Sequence, residues 1–193
     1  MEMGYINNKN IVDVGCGRGS GSFILRSVAK SVVGVDPQLE QVVFSKEFKT
    51  NQMLFNTGFP CGTSPGICKI FLYANTLEHF VNNEHVDNKH DAVVGMEVIE
   101  HVDDPLEFVA NVASVAPYAF LSTPRAKITG KTRNPDHVAE YSSRDMDKIM
   151  KSKFKILKKV YQDGTMRIAN DIQPNGDSAN INHTVQMYWL ERK

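Results

Sequence analysis

Short apolar runs rich in β-branched residues recur along the chain, and each is followed by a stretch of helical pattern or by a cluster of turn-forming residues. Ile11 to Val14, Ser31 to Val35, Ile67 to Ala74, Asp91 to Met96 and Tyr118 to Ser122 read as strands. Helical stretches follow at Ser20 to Ala29 and around Leu39 to Lys46. Another starts at Asp104-Pro105, an N-cap followed by proline at the first helical position, with Glu107 in place for a capping box, and runs to about Ser114. A further helix spans about Ser143 to Lys151. Residues 50 to 66, rich in Gly, Pro, Asn and Thr, read as a loop, and residues 75 to 90 give no clear pattern. Two late runs, Phe154 to Tyr161 and His183 to Leu190, pair as an antiparallel hairpin around a Gly-, Asn- and Asp-rich connection. Strands alternating with helices build βαβ units, so the expected fold class is α/β: a doubly wound, mostly parallel sheet of seven strands whose C-terminal strand is antiparallel.

Composition narrows this picture. A chain of 193 residues suits a single domain, spanning all of 1–193, with an ordinary globular balance of 41% apolar and 23% charged residues. Lys and Arg number 22 and so do Asp and Glu, giving zero net charge, so no broad positive field is available to grip many phosphates. Extensive nucleic-acid binding is therefore not expected, which leaves contact with a single terminal nucleotide open. Cys16, Cys61 and Cys68 are odd in number and lack zinc-site spacing, which points to a reducing compartment. The absence of a secretory leader or a membrane-length apolar run gives the expectation of a cytoplasmic protein with no membrane partner.

Candidate chemistry begins at Val12-Asp13-Val14-Gly15-Cys16-Gly17-Arg18-Gly19-Ser20-Gly21, a glycine-rich turn between a strand and a helix. Such glycines permit positive φ and let a ligand approach the backbone. An acid two residues before the first glycine would repel a pyrophosphate but suits a cation, and the sulfonium and ammonium groups of S-adenosylmethionine are cationic. Asp36, at the end of the second strand, can accept from both ribose hydroxyls at the spacing of about 20 residues found in nucleotide binders. The competing readings are a tight structural turn and a nicotinamide-dependent oxidoreductase; the latter lacks a Tyr-x-x-x-Lys pair.

Asp13-Val-Gly15-Cys16-Gly17-Arg-Gly19, Val35-Asp36-Pro37 and Met96-Glu97-Val-Ile-Glu100-His101 together resemble the motifs of class I S-adenosylmethionine-dependent methyltransferases, over about residues 10 to 150. The resemblance implies that Asp36 binds ribose, that Pro37 packs on adenine, and that the main chain around Gly15, Cys16, Gly17, Gly19 and Met96 holds the methionine part. Asn75-Thr76 falls where the family often places an acid for the adenine amino group, and the Asn is a departure. The Glu97 to His101 segment resembles that of ubiquinone-biosynthesis and small-RNA 2′-O-methyltransferases. There it is associated with a divalent metal, and the RNA group adds a later histidine that His137 matches.

Independently of the family, a helical turn over residues 97 to 101 would set Glu97, Glu100 and His101 on one face. Two carboxylates and an imidazole at the carboxyl end of a strand make a site for Mg²⁺ or Mn²⁺, which would lower the pKa of a bound hydroxyl. The same histidines, His101 and His137, could instead serve as general base without metal. The remaining histidines read as surface or packing residues, and the Lys148 to Lys159 cluster as an exposed face. The sequence thus points to O-methylation of a small-molecule or terminal hydroxyl by in-line displacement. Metal-free N-methylation of a small molecule or glycan, or a silent cofactor-binding module, are the alternatives. The helices that usually precede the first strand and cover the cofactor are not found ahead of Ile11, so a loosely held cofactor, or a cover supplied by a partner, is expected.

Overall fold

A computed structural model of the chain describes residues 5–38, 52–61, 64–83, 90–130, 132, 134–162, 168–170 and 185–193. The expected helix around Leu39 to Lys46, and His85 and His183, lie outside the described residues. The strands are β1 (Asn10–Val14), β2 (Ser31–Val35), β3 (Gln52–Cys61), β4 (Ser64–Tyr73), β5 (Ala92–Met96), β6 (Tyr118–Pro124), β7 (Phe154–Gln162), β8 (Ile168–Asn170) and β9 (Val185–Arg192). They form one sheet in the order β3-β4-β2-β1-β5-β6-β9-β7-β8. The seven expected strands are all present as its centre, with β4, β2, β1, β5 and β6 parallel and β9 antiparallel to both β6 and β7.

Two strands extend that sheet at its edges. Residues 50 to 66 are not a loop: β3 runs antiparallel to β4 from Gln52↔Tyr73 to Cys61↔Ser64. The prolines and glycines that suggested a loop are tolerated because β3 is an edge strand, where a residue without an N–H costs no ladder bond, and the register shifts between Asn56 and Pro60. At the other edge, β8 pairs antiparallel with β7.

The helices are α1 (Ser20–Leu25), α2 (Leu77–Asn83), α3 (Pro105–Val115) and α4 (Ser143–Lys151). Helix α1 is shorter than its pattern suggested, and α2 occupies part of the stretch that gave no clear reading. Local chemistry sets the starts of the longer two. Asp104 Oδ1 accepts from the Leu106 and Glu107 amides ahead of α3, and Ser142 Oγ accepts from Asp145 N ahead of α4. Their apolar faces, Phe108, Val109, Val112 and Ala113 on α3 and Met146 and Met150 on α4, are buried on the sheet. Among the described residues, no helix is long and apolar enough to cross a membrane.

The core has two parts because a parallel sheet must be covered on both faces. Val12, Val14, Val35 and Val93 face α2, α3 and α4, whereas Ile11, Val32, Ala92 and Val94 pack with Leu72 and Ala29 on the α1 side. This alternation matters for chemistry: Asp13 falls in step with Ile11, so its side chain lies under α1 rather than under α3. Gly34 sets how closely α1 approaches, because a Cβ there would overlap Leu72 and stand 2.8 Å from Cys16 Sγ. Gly34→Ala should therefore destabilise the fold by about 1–3 kcal/mol through overpacking. Thermal unfolding followed by circular dichroism should show Tm lowered by several degrees, roughly 2–4 °C per kcal/mol for a domain of this size.

Candidate active site

Strands β1, β2, β5 and β6 end level with one another, through Val14↔Val35, Val14↔Gly95 and Met96↔Ser122. The chain leaves β1 between strands whose crossovers run in opposite directions, and this switch point opens a crevice at the carboxyl edge. The loops after β1, β2, β4, β5 and β6 all emerge there, and they carry the residues singled out from the sequence.

Gly15, Gly17 and Gly19 have φ of 68°, 51° and 81°, so all three use the left-handed region that a side chain would oppose. A Cβ at Gly15 would also collide with Val98. Asp36 holds the loop in place: Oδ2 accepts from Gly17 N at 2.8 Å and Oδ1 from Gln38 N at 2.7 Å. Each oxygen keeps a lone pair for a further donor. Cys16 is a free thiol turned into the core, and burial with the nearby Asp13 and Asp36 pushes it up to about 12, which makes it inert.

Two cavities share Gly15. One, about 620 Å³, is lined by Asp36, Pro37, Thr76, Glu97, Val98 and His101 among others, and mixes polar and apolar groups. Thr76 also caps α2, its Oγ1 accepting from His79 N at 3.1 Å. Asn75 does not line this cavity. The other, about 430 Å³ and mainly apolar, lies on the α1 side between Ile24, Phe120, Met187 and Trp189, with Asp13, Cys16 and Met96 also on its wall. The expected cofactor residues are therefore divided between the two faces of one crevice.

Asp13 is 5% exposed and accepts from Ser22 Oγ at 2.6 Å. Burial raises its pKa to about 6, with the Ser22 hydrogen bond opposing and the charge of Asp36 adding to the rise. A carboxylate held this way has unspent electrostatic potential for a cation.

The segment after β5 departs from the expected helical turn. Glu97 has φ 55°, a strained value for a side-chain-bearing residue, and only Ile99–His101 form a 3₁₀ turn. Glu97 and Glu100 therefore do not share a helical face. Glu97 N donates to Ser122, and its Oε1 accepts from Ser122 Oγ at 2.8 Å. Although Glu97 is exposed as a residue, its carboxyl end is tucked against Ser122, and this partial burial raises its pKa against the lowering effects of Ser122, His137 and His101.

Glu100 is fully buried, and neither carboxylate oxygen has a hydrogen-bond partner of normal geometry, nor does the neighbouring Thr123 hydroxyl. Burial raises the Glu100 pKa, with Glu97 adding to the rise, while the nearness of Thr123 and His101 opposes it. One ligand atom each from Glu100, His101 and His137 lies within 4.8 Å of the others, so three of the four expected metal residues come together and Glu97 stays outside the group.

The two histidines meet edge to face, with ring centroids 4.9 Å apart and planes at 86°. His101 Nδ1 donates to the Asp136 carbonyl at 2.9 Å, which leaves Nε2 as the lone-pair nitrogen. His137 has both nitrogens engaged, Nδ1 by Glu140 Oε1 at 3.0 Å and Nε2 by Asn134 Nδ2 at 3.1 Å. The loop carrying His137 is tied to the turn through the Glu100 carbonyl, which accepts from Val138 N at 2.8 Å and Ala139 N at 3.2 Å. Sequence reasoning overlooked Ser122, Asn134 and Glu140. Their only signal was proximity in the chain to Thr123 and His137, because what each one touches is set by packing.

Comparison with known proteins identifies the family of the chain. A family profile described as a methyltransferase domain matches residues 6–154. The mitochondrial ubiquinone biosynthesis O-methyltransferase of Dictyostelium discoideum is 32% identical over 112 residues, which cover 55% of this chain and 31% of that protein. The chain thus matches about a third of the length of that relative. Among solved structures, a SAM-dependent methyltransferase from Archaeoglobus fulgidus superposes with TM-score 0.61 at 12% identity, covering 98% of this chain and 88% of the other. The N-methyltransferase NodS of Bradyrhizobium japonicum, in complex with S-adenosyl-L-homocysteine, superposes with TM-score 0.56 at 15% identity, covering 96% and 79%. With its sheet order, its three left-handed glycines and its Asp36 clamp, this chain belongs to the methyltransferase-domain family of class I S-adenosylmethionine-dependent methyltransferases.

Proposed function

We propose that this domain transfers the methyl group of S-adenosylmethionine to a hydroxyl of a small molecule or chain terminus, with His101 as the general base. The observation that carries this reading is the state of His101: its Nδ1–H is committed to the Asp136 carbonyl, and its ring lines the crevice that also holds Asp36 and Pro37. An O-methyltransferase relative at 32% identity supports the choice of oxygen as acceptor.

In this reading Asp36 takes the ribose hydroxyls, Pro37 packs on adenine, and the backbone near Gly15 and Met96 receives the methionine part. Asp13 faces the positive end of the cofactor. The acceptor oxygen attacks the methyl carbon in line as the carbon–sulfur bond breaks. The electron pair stays on sulfur, giving neutral S-adenosylhomocysteine, and the hydroxyl proton passes to His101 Nε2.

Glu100 favours a second, metal-assisted version. Its buried oxygens without partners, beside two imidazole nitrogens, suit a hard divalent cation such as Mg²⁺ or Mn²⁺. Glu100, His101 and His137 would hold it. Such an ion supplies Lewis acidity that lowers the pKa of an acceptor hydroxyl. His101 would then serve as ligand in place of base.

Three measurements test these assignments. Calorimetry with S-adenosylhomocysteine should show binding, and Asp36→Ala should weaken it roughly 10- to 100-fold, the worth of hydrogen bonds to a charged group; no binding to the unaltered chain would refute the cofactor assignment. Asp13 sets the pH dependence. Because its folded-state pKa is raised, ionising it costs the unliganded fold stability as pH rises from about 4 through 6, and a bound cation offsets that cost. Affinity should therefore fall by up to about tenfold per pH unit on acidification below about 6. Asp13→Asn should flatten that fall; an identical profile in the variant would remove Asp13 from the cofactor site. Methyl transfer from labelled S-adenosylmethionine to catechol and diol acceptors should drop about 10²- to 10⁴-fold in His101→Ala if His101 is the base. Loss of activity with chelator and recovery with Mn²⁺ would instead select the metal-assisted version.

A further inference from the structure

Glu140 is 4% exposed and lies in an irregular, turn-containing segment outside any helix. It meets His137, Oε1 to Nδ1 at 3.0 Å, with both side chains at 10% exposure or less. Burying a carboxylate is costly unless it is paired, and His137 is one of the partners of Glu140.

The hydrogen bonds around His137 determine which nitrogen bears the proton. Asn134 Oδ1 accepts from Asp136 N at 3.0 Å, which fixes the amide orientation and turns Nδ2 toward His137. That Nδ2 donates to Nε2 at 3.1 Å, so Nε2 holds the lone pair and Nδ1 holds the hydrogen, directed at Glu140. Asn134 is exposed, whereas Glu140 is enclosed and its own carbonyl accepts from Gly130 N at 2.9 Å. The two contacts on His137 therefore differ in setting: one is enclosed and the other is open to solvent.

We propose that Glu140 is the positioning residue of this site, holding His137 in the Nδ1–H tautomer so that Nε2 is the atom offered to a ligand, with the Asn134 amide occupying Nε2 until that ligand arrives. The proposal rests on His137 belonging to the functional site. A carboxylate behind a ligating imidazole fixes the ring orientation and increases its donor strength, and losing such a partner costs about 10–100-fold in metal affinity.

The test uses the full chain at about pH 8, above the ordinary imidazole range. Long-range proton–nitrogen correlation spectra of histidine-labelled protein report the tautomer, with His137 assigned by comparison with His137→Gln. The unaltered protein should show Nδ1–H, Glu140→Ala a mixture or Nε2–H, and Glu140→Gln, whose amide oxygen still accepts, the original form. Mn²⁺ followed by paramagnetic resonance should bind about 10–100-fold more weakly to Glu140→Ala, with smaller loss in Glu140→Gln and unchanged S-adenosylhomocysteine affinity in both. Asn134→Ala should keep the tautomer and bind Mn²⁺ at least as well. An Nε2–H imidazole in the unaltered protein overturns the proposal, as does an unchanged tautomer in folded Glu140→Ala. If Glu140→Ala fails to fold, the unaltered protein and Glu140→Gln decide, and Nδ1–H in both is the supporting result. Absence of Mn²⁺ binding in the unaltered protein defeats the metal-assisted reading alone, and the tautomer still decides the role of Glu140.

Discussion

The carbonyl of Glu100 accepts from the amides of both Val138 and Ala139, and the arrangement of the active site follows from that pair of bonds. Each bond contributes only about 0.5–1.5 kcal/mol net. Their effect is geometric. They hold the loop after β6 against the 3₁₀ turn after β5, which places the Asp136 carbonyl on His101 and the His137 ring edge-on to it. The same residue buries its carboxylate with no hydrogen-bond partner of normal geometry among the described residues. Backbone and side chain of Glu100 thus serve opposite ends, one satisfying two donors and the other leaving an acceptor in need of one. A buried group in that state is stable only while the surrounding fold over-determines it.

A second constraint acts where the crevice meets the ends of β1 and β2. Asp36 spends one lone pair of each oxygen on backbone amides, and in doing so it holds the glycine loop against the end of β2. Asp13, one strand over, is buried beneath α1 and accepts from Ser22 Oγ at 2.6 Å. The two carboxylates repel, which contributes to the raised pKa of Asp13. Placing two acids beside a loop whose Gly15, Cys16, Gly17 and Gly19 amides already have acceptors disfavours a pyrophosphate and favours a ligand with a positive end. In this way the electrostatics of the crevice separate it from the dinucleotide sites built on similar sheet topology.

Strain and burial collect at the carboxyl edge of the sheet, away from the well-packed centre. Glu97 takes a left-handed φ, Glu100 and Thr123 are buried without partners of normal geometry, and the three glycines adopt conformations other residues resist. The two cores beneath α1 and beneath α3 and α4 supply the stability that tolerates them. Pre-organised sites commonly carry such costs, because groups set for a ligand are poorly satisfied without it.

Local pattern alone was enough for the parallel centre of the sheet, the glycine loop and the capped start of α3, since each depends on residues close together in the chain: β-branched runs, glycines at alternate positions, and Asp104 ahead of Pro105. It was enough, too, for Asp36 and His101, whose positions follow from the ends of predicted strands. It misjudged β3, because an edge strand accepts prolines and glycines that elsewhere signal a loop, and only the pairing partner β4 reveals it. It also grouped Glu97 with Glu100 and His101 on the basis of helical spacing, whereas the close packing of Gly15 on Val98 and the pull of Ser122 give the chain a left-handed residue there. Only the tertiary structure separated the two histidines, leaving Nε2 of His101 open while Glu140 and Asn134 engage His137. The contacts that shape the site join segments 25 to 39 residues apart or depend on a bend in the chain, and one-dimensional spacing does not encode which buried donor an acceptor will find.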